Sequence, residues 1–405
     1  MNNSPLEYLA KLYGNVIKYD DNGNPSIFVK FYKMKSSDLV AGLPNHTHPA
    51  FIINGVEQDY ILLGKYKAGI NGVTNGALVS MPNIMPVHSL GADQILSRIK
   101  LAGTGISGMT VADYGFIKLL AQKHGWTPKG NNNWGVDYHD GTAWKTNESI
   151  TVNLKRCYGG REYTALIAHT STAELRPDLA PTYWEKGKFI GGVSVDTSVD
   201  ASHQTGYRTL NGTGPKSWYL GNDVGSMADL IGSSLEAQWG YRIYDCELQI
   251  LPNNDAADPD ADLSASSAEW KAILPNAGDD GYTLVAPGTA GTLHWNWDSV
   301  NSKIILDTQC DDLTVGNKGQ NFRALKPHET RLPYVPSIVK ELGLFPTDGN
   351  DNTPGYYYAS FVAGERFARR GGHCNAASNA GLGCLYGYYD RGSTGTNFGG
   401  RPRSL

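Results

Sequence analysis

Glycine interrupts almost every apolar run in this chain of 405 residues, and that punctuation restricts what it can fold into more than any other feature. There are 48 glycines, and the stretches between them are short, as in AFIINGV at 50–56 and YILLGKYKAGI at 60–70. A residue that reaches positive φ freely allows tight reversals and shortens regular elements. With 20 prolines and 23 tyrosines, the pattern predicts short strands, many turns and long ordered loops. Forty percent of the residues are hydrophobic, enough for one large domain or two to three ordinary ones.

Few long-range partners fit the charge balance. Only 18% of residues are charged and the formal net charge is -4, so a broad electrostatic grip on nucleic acid or anionic lipid is not expected. No apolar run is long enough to span a bilayer, and the start, MNNSPLEYLAKLYGN, lacks a signal-peptide core. These features predict a soluble protein made in the cytoplasm, without membrane insertion. Cys157, Cys246, Cys310, Cys374 and Cys384 are odd in number and widely spread, with no C-x-x-C pair, and read as buried or incidental thiols.

Residues 1–45 look like a separate attachment or oligomerisation segment: an amphipathic start, the turn DDNGNP, then the strand-like IFVKFYKM. Residues 46–405 form the main domain. The clearest helix is 110–124. Thr110 suits its N-cap and Asp113 its first turn, Gly125 suits the stop, and Val111, Tyr114, Ile117 and Leu120 or Ala121 predict one buried stripe. A shorter helix is expected at 336–342, with Pro336 in its first turn and Gly343 as its stop. The polar, aperiodic stretch 252–290 reads as a long surface excursion or insert. Few helices, many short strands and Gly-rich loops define an α+β fold.

Several motifs have an ordinary reading beside the functional one. GTGISG at 103–108 spells a dinucleotide fingerprint before the 110 helix, but no parallel-strand alternation follows and no acid closes a strand about twenty residues on, so it reads as a glycine-rich turn. Asp258, Asp260, Asp262 and Glu269 have the spacing of a calcium loop, yet Leu263 stands where glycine belongs. A solvated acidic loop is the default, a structural calcium the alternative, and no other cofactor is expected. His46 and His48 in NHTHP would share a strand face and are expected to be a structural pair rather than metal ligands. No G-x-S-x-G or H-E-x-x-H occurs.

The C-terminus is more specific. Residues 370–405, RGGHCNAASNAGLGCLYGYYDRGSTGTNFGGRPRSL, contain no Lys, Glu, Gln, Met or Trp, all of which occur elsewhere in the chain. Those five types are the ones unreachable when the two adenines of an AAC or AAT codon are replaced. Tyr386, Tyr388, Tyr389, Asp390, Gly392, Ser393 and Gly395 are all reachable. A framework runs between them: RGG at 370–372, Asn379-Ala380-Gly381, Leu385, Arg391, Asn397 and Gly399-Gly400-Arg401-Pro402.

This segment closely resembles the variable region of diversity-generating retroelement proteins, whose framework runs from RGG through NAG to GFRP or GGRP. Upstream, HPAFIINGVEQDYILLGKYKA, MTVADYGFIKLLAQKHGWTPKGNNNWG, GYRTLNGTGPKSW and YDCELQILPNND resemble the phage branch of the formylglycine-generating-enzyme-like family. The resemblance covers residues 48–405. It implies a C-type-lectin-like domain whose ligand-binding, variable positions are His373, Cys374, Asn375, Ala376, Cys384, Tyr386, Tyr388, Tyr389, Asp390, Gly392, Ser393 and Gly395. It further implies a hypervariable receptor-binding protein of a phage tail fibre or tail tip, located in the virion. Its ligand would be a bacterial surface protein or glycan, its neighbours tail or baseplate proteins, and its assembly a homo-oligomer, a trimer by analogy with phage tropism determinants. Tyrosine beside glycine and serine suits such a surface, because it combines rigid amphipathic contact with adaptable small residues.

The sequence also departs from the family. Its enzymes use two closely spaced cysteines near the C-terminus, whereas Cys374 and Cys384 stand ten apart among the variable positions, and the GNVWEW box is replaced by GSSLEAQWG at 232–240. A binding protein without catalytic activity is therefore expected. The alternatives are a formylglycine-type oxidase or related non-haem metal enzyme, and a bacterial surface lipoprotein, for which no lipobox cysteine stands near the start.

Overall fold

The computed structural model describes residues 5–70, 76–194 and 208–405. The fold is mixed α/β, mostly sheet with few helices. A five-stranded sheet has the order Val16–Tyr19, Pro25–Tyr32, Tyr60–Gly64, Pro402–Ser404, Ile106–Gly108. It joins the two ends of the described chain: Phe28 pairs with Gly64, and Leu63 with Arg403. Ile27, Phe28 and Val29 are successive and all buried, because the strand is covered on both faces. The expected boundary at residue 45 is thus not a structural one. The IFVKFY strand is an interior member of a sheet that the last residues complete, although an attachment role for the residues before it is a separate matter.

The larger sheet has twelve strands. At its centre lies Leu235–Tyr244, buried except for its last residue, between Glu365–Gly371 and Glu247–Ile250. On the Glu365–Gly371 side follow Gly381–Gly387, Tyr356–Phe361 and Gly316–Asn321. GSSLEAQWG thus forms the entry to the central strand, where Trp239 is buried.

The helix occupies Val111–Lys123, with the expected cap: Thr110 Oγ1 accepts from the Asp113 amide at 3.1 Å and Asp113 Oδ2 from the Thr110 amide at 3.0 Å. Gly125 takes φ +61° at the stop. The single apolar stripe is a misreading. Phe116, Lys118 and Leu119 are buried as well, because the turn at Pro49–Phe51, the helix Ser337–Glu341 and the central strand surround it. In that second helix Pro336 stands just before the first turn rather than in it, and Gly343 ends it at φ +65°.

Residues 252–290 are also more integrated than expected. Ala256, Leu263 and Trp270 are buried in a hydrophobic cluster with Trp239 and Phe367, and Lys271–Pro275 and Tyr282–Val285 form a hairpin added to the large sheet. Three well-spaced apolar side chains anchor this stretch, and periodicity cannot register them. GTGISG forms a turn and the strand Ile106–Gly108, and Asp113, paired with Arg403 at 3.0 Å, occupies the helix start.

Among the described residues, no three His, Cys, Asp or Glu side chains converge as a metal site. Asp258 directs its carboxylate to the Asp260 amide and to Asn54. His46 and His48 do not share a strand; both meet Glu341, through its carboxylate at 2.7 Å and its carbonyl at 3.0 Å, while His48 caps the Pro49–Phe51 turn. No described helix is long and apolar enough to cross a membrane. Residues 206 and 207 of GYRTLNGTGPKSW lie outside the described residues.

Candidate ligand-binding surface

The C-terminal segment begins where Glu365–Gly371 ends. Gly371 and Gly372 carry φ +87° and +84°, and a Cβ on Gly372 would lie 2.6 Å from that of Ala380. Side-chain-free backbone is required for this reversal. The chain crosses a short 3-10 turn at Ala377–Asn379, returns as the strand Gly381–Gly387, and closes through a loop to Phe398–Gly399, which pairs with Leu235 and Glu236.

Alternation on Gly381–Gly387 separates two environments. Leu385, beside Tyr357 in the neighbouring strand, points into the main core. Cys384 and Tyr386 point to the opposite face, where Tyr386 neighbours Tyr358 with ring centroids 4.5 Å apart. An aromatic layer extends from this pair: Tyr356 to Tyr358 at 4.8 Å, Tyr388 to Tyr389 at 4.3 Å, and Tyr389 to Phe398 at 4.6 Å. Hydrogen bonds fix the rings. Tyr356 donates to the Gly319 carbonyl at 2.9 Å, Asn379 Nδ2 to the Tyr358 hydroxyl at 3.1 Å, and the Tyr386 hydroxyl meets His373 Nε2 at 3.2 Å. Burial raises the Tyr386 and Tyr388 hydroxyls well above the usual range, so both stay neutral.

Beneath the rings, Arg369 is fully buried, 4.2 Å from the Phe398 ring centroid and 5.3 Å from that of Tyr389. Desolvation pushes its guanidinium down to about 10, and it remains charged at neutral pH.

The predicted positions do not form one exposed surface. Asn375, Asp390 and Gly392 are exposed, while His373, Tyr388, Tyr389, Ser393 and Gly395 are half-buried. Four expectations are corrected: Cys374, Ala376, Cys384 and Tyr386 are buried. Cys374 packs under Trp134 and Ala143. Cys384 lies behind the tyrosines, its thiol pushed up to about 12 by desolvation, and Tyr386 is 5% exposed. Strand alternation and the turn after Gly372 place these side chains inward, which codon composition cannot register.

Tyr356 and Tyr358 were missed. The run GYYYAS at 355–360 carries the signal, since alternate tyrosines on one strand present two rings to one face and leave Tyr357 for the core.

The loop at 390–397 is held chiefly through its main chain. The carbonyl of Arg391 accepts from the Ala92 amide at 3.1 Å, that of Ser393 from Arg369 at 3.0 Å, that of Gly395 from the Ser89 amide at 2.9 Å, and that of Thr396 from Arg208 at 2.9 Å. The framework residue Arg391 adds side-chain pairing to Glu365 and Asp93. The side chains of Asp390, Thr394 and Thr396 face solvent. Compared with models of known protein families and with curated protein sequences, the chain matches none.

Proposed function

We propose that this chain is a ligand-binding protein whose specificity resides in the aromatic layer and the adjoining 390–397 loop. More narrowly, it is read as the hypervariable receptor-binding protein of a diversity-generating retroelement, carried on a phage tail fibre or tail tip with a C-type-lectin-like scaffold. One observation carries this reading: scaffold donors hold the loop's carbonyls at Arg391, Ser393, Gly395 and Thr396 while its exposed side chains make little of the fold. Such a loop can change its side chains without losing its path, and tyrosines beside it supply rigid contact area.

On this reading the protein performs no chemistry, its ligand is a bacterial surface protein or glycan, and its neighbours are tail or baseplate proteins and sister subunits. The oxidase alternative needs two cooperating thiols, whereas Cys374 and Cys384 belong to separate buried clusters. The test is retention of host envelope components by immobilised protein, comparing the parent with Tyr388→Ser/Tyr389→Ser. Retention by the parent and its loss in the variant, which stays folded with a stability loss of only about 1 kcal/mol, is expected. Equal retention by both would remove the aromatic layer from recognition.

A further inference from the structure

The hairpin that joins Leu235–Tyr244 to Glu247–Ile250 opens onto a cleft of about 640 Å³. No residue of 370–405 lines it, and neither does any lysine or arginine. Its polar wall is held in place by the fold itself. Asp245 stands in the hairpin turn, where its Oδ1 accepts from the Gly364 amide at 2.6 Å; its Oδ2 makes no hydrogen bond among the described residues. Glu247, buried in the wall, accepts from Thr292 Oγ1 and Gln249 Nε2, both at 2.6 Å, and from the Gly288 amide at 3.1 Å. His294 Nδ1 lies 2.8 Å from the Thr292 carbonyl. A carbonyl only accepts, so Nδ1 carries a proton and the neutral ring keeps Nε2 as an acceptor. Gln309 donates through Nε2 to Asp311 at 2.5 Å, which leaves its Oε1. Tyr244 adds an exposed ring.

We propose that this cleft is a saccharide site, taking one or two neutral pyranose rings.

The groups left free, Asp245 Oδ2, His294 Nε2 and Gln309 Oε1, are all acceptors. A ligand that matches them presents several donors close together, as neighbouring sugar hydroxyls do. An anion would face the carboxylates of Asp245 and Glu247 with no cation in the lining. An ammonium ion would meet only the free oxygen of Asp245, because those of Glu247 are taken by Thr292, Gln249 and Gly288. A lipid chain would find little apolar wall beyond Pro287, Ala290 and Leu313. The Tyr244 ring offers the C–H face of a pyranose a flat partner with a polar edge. Arg242 lies 5.6 Å from the centroid of that ring and is itself paired with Glu365. The volume agrees, since small-molecule sites run from about 300 to 1,000 Å³. Side chains oriented in advance by Gly364, Thr292 and Asp311 lose little freedom on binding. Because residues 370–405 take no part, this site is independent of the role proposed for the aromatic layer, and its specificity stays fixed when that segment changes.

The experiment titrates the full chain with methyl glucoside, methyl galactoside, N-acetylglucosamine, maltose and cellobiose, with saturation-transfer NMR reading contact and calorimetry reading affinity. At least one of these sugars is expected to bind saturably. Tyr244→Ala and His294→Ala should each weaken it about tenfold; the two residues stand on different strands, so a folding defect in one variant does not imitate the other. Tyr388→Ser/Tyr389→Ser should bind the sugar as the parent does, even where it loses envelope components. Four results would overturn the proposal: no saturable binding of any of these sugars, tighter binding of glucose 6-phosphate or putrescine than of every neutral sugar, undiminished affinity in both cleft variants, or loss of sugar binding in Tyr388→Ser/Tyr389→Ser.

Discussion

The ends and the middle of the C-terminal segment are held in opposite ways. At the ends, side chains do the holding. Arg370 is fully buried, donating to the carbonyls of Gly343 and Leu382 and lying 4.5 Å from the Tyr114 ring centroid. Arg401 donates twice to Glu236 and also reaches the carbonyls of Gly64, Lys65 and Ala228. In the middle, the main chain is largely what is held, by donors at Ala92, Arg369, Ser89 and Arg208. A segment tolerates change where its path does not depend on what its side chains are; the aromatic layer lies between these extremes.

The largest effect is expected at the ends. Glu236 is fully buried and balanced by Lys67 at 2.7 Å and Arg401 at 2.8 Å. Arg401→Met keeps much of the volume but leaves that carboxylate one partner short. Breaking a buried ion pair in this way costs about 3–5 kcal/mol, which a denaturant titration reads directly. A loss below about 1 kcal/mol would erase the distinction between ends and middle.

Within the aromatic layer the comparison predicts a split. Tyr386→Ser empties a buried site packed against Tyr358 and should cost about 3 kcal/mol. The double change Tyr388→Ser/Tyr389→Ser, on half-buried rings, should cost about 1 kcal/mol. Equal melting temperatures for the two variants would mean that burial does not order these positions.

A pH titration reports on the scaffold alone. His48 is fully buried, and desolvation lowers it from 6.5 to about 4. Between those values the unfolded chain binds a proton that the folded chain refuses, so stability falls as pH drops through this window, by about 3 kcal/mol at most. His46 has the opposite sign: its hydrogen bond to Glu341 raises it, so its contribution is full below pH 6.5 and fades as pH rises through the folded value. His46 is half-exposed, and its share is smaller. His48→Gln should flatten the acid limb, whereas His46→Gln should leave it steep. A parent protein equally stable at pH 4.5 and 7 would contradict the buried-neutral assignment of His48.

Local chemistry was the legible part of the sequence. The Thr110 cap, the Gly125 stop and the IFVKFY strand depend on neighbours a few residues away and appear where expected. Long-range pairing was not legible: nothing in IFVKFY indicates that residues 402–404 join the same sheet. At the surface, composition singled out residues 370–405 but could not distinguish inward from outward, since Cys384 and Tyr386 alternate with Leu385 on a strand buried on both sides. Trp270 and Leu263 anchor a stretch that looked like solvent-facing loop, because two apolar residues without period carry no pattern.

The smallest expected effect bears on why five residue types are missing from 370–405. If folding excludes them, introducing lysine or glutamate at exposed positions should destabilise the protein. If the coding pattern excludes them, the fold should be indifferent. Ser378 and Thr394 are exposed, and exposed positions normally carry such charges freely. Ser378→Lys and Thr394→Glu are therefore each expected to change stability by less than about 0.5 kcal/mol, checked by thermal melts of the single variants and the pair. The gene supplies the complementary measurement. A near-copy of the segment coding for residues 373–396 should lie close to a reverse-transcriptase gene. It should carry mostly AAC or AAT where this gene encodes Asn375, Ala376, Tyr386, Tyr388, Tyr389, Ser393 and Gly395, with the differences at adenines. A melting temperature lowered by several degrees in either charged variant would assign the missing residues to folding. The absence of such a copy, with both variants unperturbed, would leave a tolerant surface that no retroelement diversifies.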